Sequence, residues 1–226
     1  MKMDKSFDID KVYTILKKEV SKYKVPIVDL IQIQTKDPFK VLVTTILSAR
    51  TNDRTTTEAA RRLFDRVGKL SDFDKLSLKE IEKLIYPVGF YKNKAKFLKQ
   101  LHGKVLELFD GKIPDTVDEL VKLPGVGRKT ANLVVAIAFD KPAICVDTHV
   151  HRIMNIWGYV KTKTPFDTEM ALRKKLPIKY WKTINSIIVA FGQNLCRPVS
   201  PHCSVCPIYD YCPRIGVISK IKKVNK

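Results

Sequence analysis

The chain has 226 residues, with 42 Lys and Arg against 23 Asp and Glu, a formal net charge of +19. That length allows one large or two small domains with a real hydrophobic core. No apolar run approaches the roughly 20 residues that a bilayer crossing needs, and the opening MKMDKSFDIDKVY holds no stretch of signal-peptide length. The expected setting is cytoplasmic, or nuclear if the source has a nucleus. So large a cationic surplus favours a polyanionic partner; a lysine-rich solubilising surface is the plainer alternative. The basic tail, with Lys220, Lys222, Lys223 and Lys226, adds non-specific attraction.

Helical signals run along the chain. Ile9, Val12, Leu16, Val20 and Tyr23 fall on one face of a first helix. Asp37 and Pro38 read as the cap and first-turn proline of PFKVLVTTILSAR. Ser77-x-x-Glu80 and Thr116-x-x-Glu119 fit the capping box. Ala95, Leu98, Leu101, Val105 and Leu108 mark a long amphipathic helix that stops at Gly111. The run LVVAIAF has the composition of a buried strand, but its small residues and its place after Gly127 favour a buried helix. Tyr180 to Leu195 reads as another helix, with Trp181, Ile184, Ile188 and Phe191 inward. No Asn-Gly hairpin separates alternating runs. The expected fold class is therefore all-α, with about ten helices, and without a long linker any two domains must pack closely.

Between two helical patterns lies LPGVGRKTAN, Leu123 to Asn132. Gly125 and Gly127 admit positive φ and close approach by another molecule. The N–H groups of such a turn, and of the helix it opens, converge on an anion, and Arg128 and Lys129 strengthen the attraction. A simple helix–helix turn also explains the glycines. G-x-G-x-K-T looks superficially like a nucleotide-binding loop, but the G-x-x-x-x-G-K-[ST] spacing and a preceding strand are missing.

Four of the five cysteines, Cys196, Cys203, Cys206 and Cys212, follow C-x6-C-x2-C-x5-C. Cys145 stands apart and reads as a small buried residue. A disulfide set does not suit a cytosolic protein, and four thiolates so close together argue for a metal. Zinc is the obvious alternative, although its sites usually show two short cysteine pairs and this chain has one.

LPGVGRKTAN resembles the helix-hairpin-helix of DNA glycosylases of the endonuclease III family. CVDTHVHRI, Cys145 to Ile153, is similar to that family's aspartate segment, and the cysteine spacing matches its [4Fe–4S] loop. The resemblance covers about Ile31 to Cys212, with three motifs in the family's order. It implies a two-domain fold with a DNA-binding cleft: a six-helix barrel over 31–141 that contains the hairpin, and an iron–sulfur helical domain joining 1–30 to 142–226. It further implies a monomer acting on double-stranded DNA that contains a damaged base or abasic site. Lys129 would be the nucleophile and Asp147 its carboxylate partner. Relatives that remove a base without cutting the strand generally lack the lysine, so Lys129 points to a bifunctional glycosylase and lyase.

That assignment agrees with elementary chemistry. Losing a base builds positive charge on the sugar, which a carboxylate stabilises. A neutral amine can then attack the sugar and form a Schiff base. The helix start and Arg128 favour the neutral amine, while an ionised Asp147 opposes it. Asp147 also fits an N-cap before HRIMNIWG, a role compatible with facing a cleft.

Duplex DNA hides its bases, so the target must be flipped out and the gap filled. The family's two gap-filling positions correspond to Arg50 in ILSARTND and Phe90 in PVGFYKNKAK, where relatives often carry glutamine and leucine. Phe90 as simple core competes with Phe90 as wedge. Asp53 matches a polar residue near the pocket, and Val121 replaces a carboxylate sometimes found before the hairpin. The remaining expected DNA contacts are Gly125, Gly127 and Arg128, Arg197 in the cysteine loop, and Lys92, Lys94, His149 and Arg152. The leading expectation is excision of oxidised pyrimidines. A mismatch-directed thymine or uracil glycosylase and a non-catalytic DNA-binding protein with a structural metal are the alternatives.

Overall fold

The computed structural model describes residues 7–23 and 36–217. The lysine tail and the expected start of the barrel at Ile31 lie outside them. Among the described residues there are ten α-helices and no strand. The chain divides into two compact units, Ile27–Ala143 and a second built from Met1–Pro26 with Ile144–Lys226.

The inner unit is organised around α2 (Pro38–Ser48). Asp37 accepts from the amide of Phe39 at 2.9 Å, Pro38 occupies the first turn, and every residue from Val41 to Leu47 is buried. Helix α3 (Asp53–Phe64) packs on α2, and α4 (Leu78–Ile85) packs on α3. Helix α5 (Tyr91–Phe109) packs on α2 and α4. A short α6 (Val117–Leu120) leads through the glycine turn into α7 (Arg128–Ala138), whose residues Thr130 to Ile137 are all buried against α2 and α6. The apolar run after Gly127 is thus a core helix. Phe39 meets Phe64 and Phe73 edge-on, with ring centroids 5.8 and 6.2 Å apart.

Three sequence readings change. Leu108 is exposed on α5, and Lys94 is buried on its first turn at 5% exposure. Leu108 satisfied the periodicity, but it belongs to the last turn, where Asp110 and Gly111 both turn left-handed and end the helix. At α6 only half of a capping box forms. The Thr116 hydroxyl receives the amide of Glu119 at 3.4 Å but itself donates to the Glu119 carboxylate at 2.6 Å. The box at Ser77 and Glu80 is complete.

The outer unit surrounds Trp157. Helices α1 (Ile9–Val20), α8 (Thr148–Ile156), α9 (Pro165–Lys175) and α10 (Ile184–Asn194) supply its core, including Val12, Leu16, Ile153 and Ile188. Phe7 stacks on Trp157 with centroids 5.2 Å apart. The helix expected from Tyr180 begins instead at Ile184. A 3₁₀ turn, Ile178–Tyr180, precedes it, and the amides of Trp181 and Thr183 bond three residues back. Trp181 is half-buried beside the core and its indole donates to the carbonyl of Leu176 at 2.9 Å.

Truncating fully buried Leu101 to alanine should cost about 2–5 kcal/mol in urea denaturation. Leu106→Ala, at a site 55% exposed, should stay within about 0.5 kcal/mol. Acid should also weaken the inner unit. The Lys75 side chain and then the amide of Gly68 hold Asp72 below the usual carboxylate range, and the amide and hydroxyl of Ser77 do the same for Glu80. Such groups stabilise fully above their unfolded pKa of about 4 and lose that contribution as pH falls through the lower folded value. Urea midpoints should therefore fall on going from pH 6 to pH 3, and less steeply for Asp72→Asn.

Candidate active site and metal centre

Helix α6, the turn Leu123–Gly127 and helix α7 form the hairpin. Its two glycines do different work. Gly125 has φ +76°, and a Cβ there would come within 2.6 Å of the Phe97 ring on α5. It lets the turn seat on α5. Gly127, the N-cap of α7, is extended at φ −84° and a Cβ there would meet nothing within 4 Å. Its need is for open space in front of the first-turn amides of α7, so of the two only Gly125 uses the positive φ that the sequence suggested for both. Lys129 follows in that first turn with its side chain exposed. Arg128 is half-buried and donates to Asp118 at 3.2 Å. Val121 is exposed at the end of α6.

Asp147 is the N-cap of α8. Its carboxylate accepts from the amide of Val150 at 2.9 Å, and the residue stays half-exposed. The cap aims the acid from a fixed backbone, so both sequence readings of Asp147 remain compatible. Lys129 belongs to the inner unit and Asp147 to the outer one. His149, half-buried, lies against Gly192 of α10, where a Cβ would come within 2.6 Å of Nδ1. Cys145 is buried, and its carbonyl accepts from Asn185 at 3.1 Å.

Arg50 and Phe90 are brought together. Each is left-handed, at φ 53° and 57°, and the Arg50 guanidinium lies 5.5 Å from the centre of the Phe90 ring. Phe90 is 60% exposed, so it is not core. Asp53, exposed, opens α3 beside its cap Asn52. Lys92 is exposed on α5. Lys94, expected on DNA, instead points inward. Its ammonium donates to the carbonyls of Leu47 and Ala49 at 2.7 and 2.6 Å and to the hydroxyl of Thr51 at 3.1 Å. Burial pushes its pKa down to about 8.

In the outer unit, Cys196, Cys203, Cys206 and Cys212 line one cavity with Trp157, Phe191 and Ile208. Two 3₁₀ turns, Cys203–Val205 and Tyr209–Tyr211, carry the loop. No three His, Cys, Asp or Glu side chains among the described residues stand as they would around one metal ion. The four thiols border one space, and four thiolates are the donor set that an iron–sulfur cluster takes. Burial pushes the thiols of Cys196 and Cys212 up, and that of Cys206 to about 11. Cluster iron binds thiolates, so loading releases protons. Arg152, expected on DNA, donates to the carbonyl of Cys196 at 2.6 Å with its other nitrogen 3.7 Å from the sulfur. Arg197, next in sequence, is exposed, as is His202.

Comparison with known proteins agrees with this layout. The signature of HhH-GPD superfamily base excision DNA repair proteins covers residues 43–178, and that of the iron-sulfur binding domain of endonuclease III covers 196–212. The chain therefore belongs to the helix-hairpin-helix superfamily of base-excision DNA repair proteins. It is 44% identical over 176 residues to endonuclease III of Thermotoga maritima, spanning 78% of this chain and 83% of that one. Its backbone is similar to that of a trapped endonuclease III–DNA covalent intermediate, with TM-score 0.78, 32% identity, and 91% and 95% of the two chains covered. A thermostable thymine-DNA glycosylase matches with TM-score 0.72 and 25% identity over 90% and 97%. Within the superfamily this chain belongs to the endonuclease III family. It is a DNA glycosylase and abasic-site lyase of base-excision repair that carries an iron–sulfur cluster and acts on DNA. No helix among the described residues is long and apolar enough to cross a membrane.

The contrast between the glycines is testable. Gly125→Ala should lower stability by about 1–3 kcal/mol, because it strains the turn and collides with Phe97. Gly127→Ala should cost about 1 kcal/mol or less yet weaken binding to an abasic-site duplex in fluorescence anisotropy. Equal effects of the two changes on stability would contradict the division of labour.

Proposed function

We propose that this chain excises oxidised pyrimidines from duplex DNA and then cuts the abasic strand, with Lys129 as nucleophile and Asp147 as its partner. One observation supports it most. Lys129 is exposed in the first turn of the hairpin's second helix, beside the open space at Gly127, in a family with a member trapped covalently on DNA. In this reading Lys129 and Asp147 act on the same flipped nucleotide.

In the reaction the base departs with the electron pair of its bond to C1′. The Asp147 carboxylate stabilises the positive charge that builds on the sugar. The Lys129 lone pair forms the new bond to C1′, and the ring oxygen leaves C1′ and takes a proton, giving a Schiff base. Loss of a C2′ proton then expels the 3′ phosphate, and water releases Lys129. The amides around Gly127 hold a backbone phosphate, with Gly125 shaping the turn and Arg128 adding charge. Arg50 and Phe90 fill the gap left by the base, Asp53 lies at the pocket, and Arg197 reaches a neighbouring phosphate. Cys196, Cys203, Cys206 and Cys212 hold a [4Fe–4S] cluster that ties down their loop. His149 and Arg152 act through packing and through the Cys196 loop. The enzyme works as a monomer, in the compartment that holds the chromosome.

A second reading, mismatch-directed thymine or uracil excision, draws on the thymine-DNA glycosylase likeness and on Arg50 in place of the family's usual glutamine. A panel of duplexes with one lesion or mismatch each separates the two.

Borohydride trapping on a duplex with one abasic site should give a covalent adduct with the native protein and none with Lys129→Ala, whose DNA binding persists. Asp147→Asn keeps the cap but loses the charge, and should slow single-turnover base release by about 10²–10⁴. An adduct that survives Lys129→Ala would overturn the assignment.

A further inference from the structure

Lys94 has no place in the chemistry above, yet it is a buried cation with no carboxylate among its bonding partners. Its three N–H groups meet three oxygens, those of Leu47, Ala49 and Thr51. Two are carbonyls at the end of α2, where a helix leaves carbonyls unsatisfied and its dipole favours a cation. The third, the Thr51 hydroxyl, also accepts from the amide of Gly89 at 3.1 Å. The turn that carries Arg50 is thereby tied to the turn that carries Phe90. At the same joint a Cβ on Gly89 would come within 2.4 Å of the Arg50 carbonyl, so the two backbones are in direct contact. Both exposed residues hold the left-handed conformation, which non-glycine residues keep only when their surroundings enforce it.

We propose that Lys94 is a positioning residue that fastens these two turns into one two-pronged wedge, so that Arg50 and Phe90 enter the duplex in fixed register. This rests on the reading of Arg50 and Phe90 as the gap-filling pair and deepens it. A wedge already assembled loses little freedom on insertion. Two independent prongs would have to be ordered at the moment of flipping, when unstacking already opposes the step. Lys94 itself touches no DNA. Its effect therefore belongs to duplex substrates, where a base must be displaced and replaced, and is absent from single strands.

The test compares lyase rates on one abasic site in a duplex and in the same strand alone, for Lys94→Met, Thr51→Val and Arg50→Ala/Phe90→Ala. Lys94→Met keeps the apolar stem and removes the donors. It should lower the duplex-to-single-strand ratio by between about ten- and a hundredfold, and should add nothing further in the Arg50→Ala/Phe90→Ala background. Thr51→Val, which leaves Lys94 two of its acceptors, should lower the ratio in the same direction and serves if Lys94→Met folds poorly. A 2-aminopurine beside the lesion should report slower or weaker flipping with both. If Lys94→Met and Thr51→Val leave the ratio unchanged while Arg50→Ala/Phe90→Ala lowers it, the brace is wrong and the wedge stands. If Arg50→Ala/Phe90→Ala has no effect on the ratio, the gap-filling reading itself fails and takes the brace with it. Equal losses on both substrates would mean that Lys94 is merely structural.

Discussion

One helix sets the spacing of the inner unit's working parts. Along α5, Lys94 holds the end of α2 and the Arg50 turn, Phe97 receives Gly125 of the hairpin, and Lys99 donates to the carbonyls of Phe73, Asp74 and Leu76. These residues sit within about two turns of one α-helix, where the rise is about 1.5 Å per residue. Leu98, Leu101 and Val105 anchor the same helix in the core. The Arg50 and Phe90 turns and the hairpin are therefore fixed to a common ruler whose divisions are covalent. Loosening α5 would misplace both at once.

How far the sequence spoke for itself depended on the reach of each contact. Caps, the hairpin and the cysteine spacing are written in neighbouring residues, and they appear where their local chemistry puts them. Lys94 reads as a surface cation because its partners lie 43 to 47 residues away. Nothing local marks a lysine for burial. The bond from Arg152 to Cys196 is hidden from a local reading for a similar reason: the two lie 44 residues apart. The two glycines of LPGVG look equivalent as letters. Only the ring of Phe97 beneath one, and empty space above the other, separates them. Periodicity also fails near helix ends: Leu108 is helical but exposed on the last turn of α5, and Trp181 precedes α10 rather than lying in it.

The cysteine loop shows what a small segment does when it cannot build its own core. Its regular structure is limited to two single 3₁₀ turns, and its apolar support is borrowed from Trp157, Phe191 and Leu195 of the surrounding helices. Burial raises the thiols of Cys196, Cys206 and Cys212, so binding iron there releases protons. Arg152 offers the Cys196 carbonyl a charged donor from α8. The same helix is capped by Asp147. The acid at one end of α8 and the arginine one turn further along thus link the proposed chemistry to the metal loop through a single rigid element.

The outer unit is assembled from both ends of the chain, with α1 packed on α10. On the ribosome α1 emerges before its partner α10, which begins only at Ile184. At about 5–20 residues per second the delay is roughly ten to thirty seconds. The inner unit, Ile27–Ala143, is complete before α10 is made, while the face formed by Ile9, Val12 and Leu16 still lacks that helix. Newly made chains therefore carry α1 without its packing partner, an amphipathic helix open to a holding chaperone, until the residues from Ile184 onward arrive.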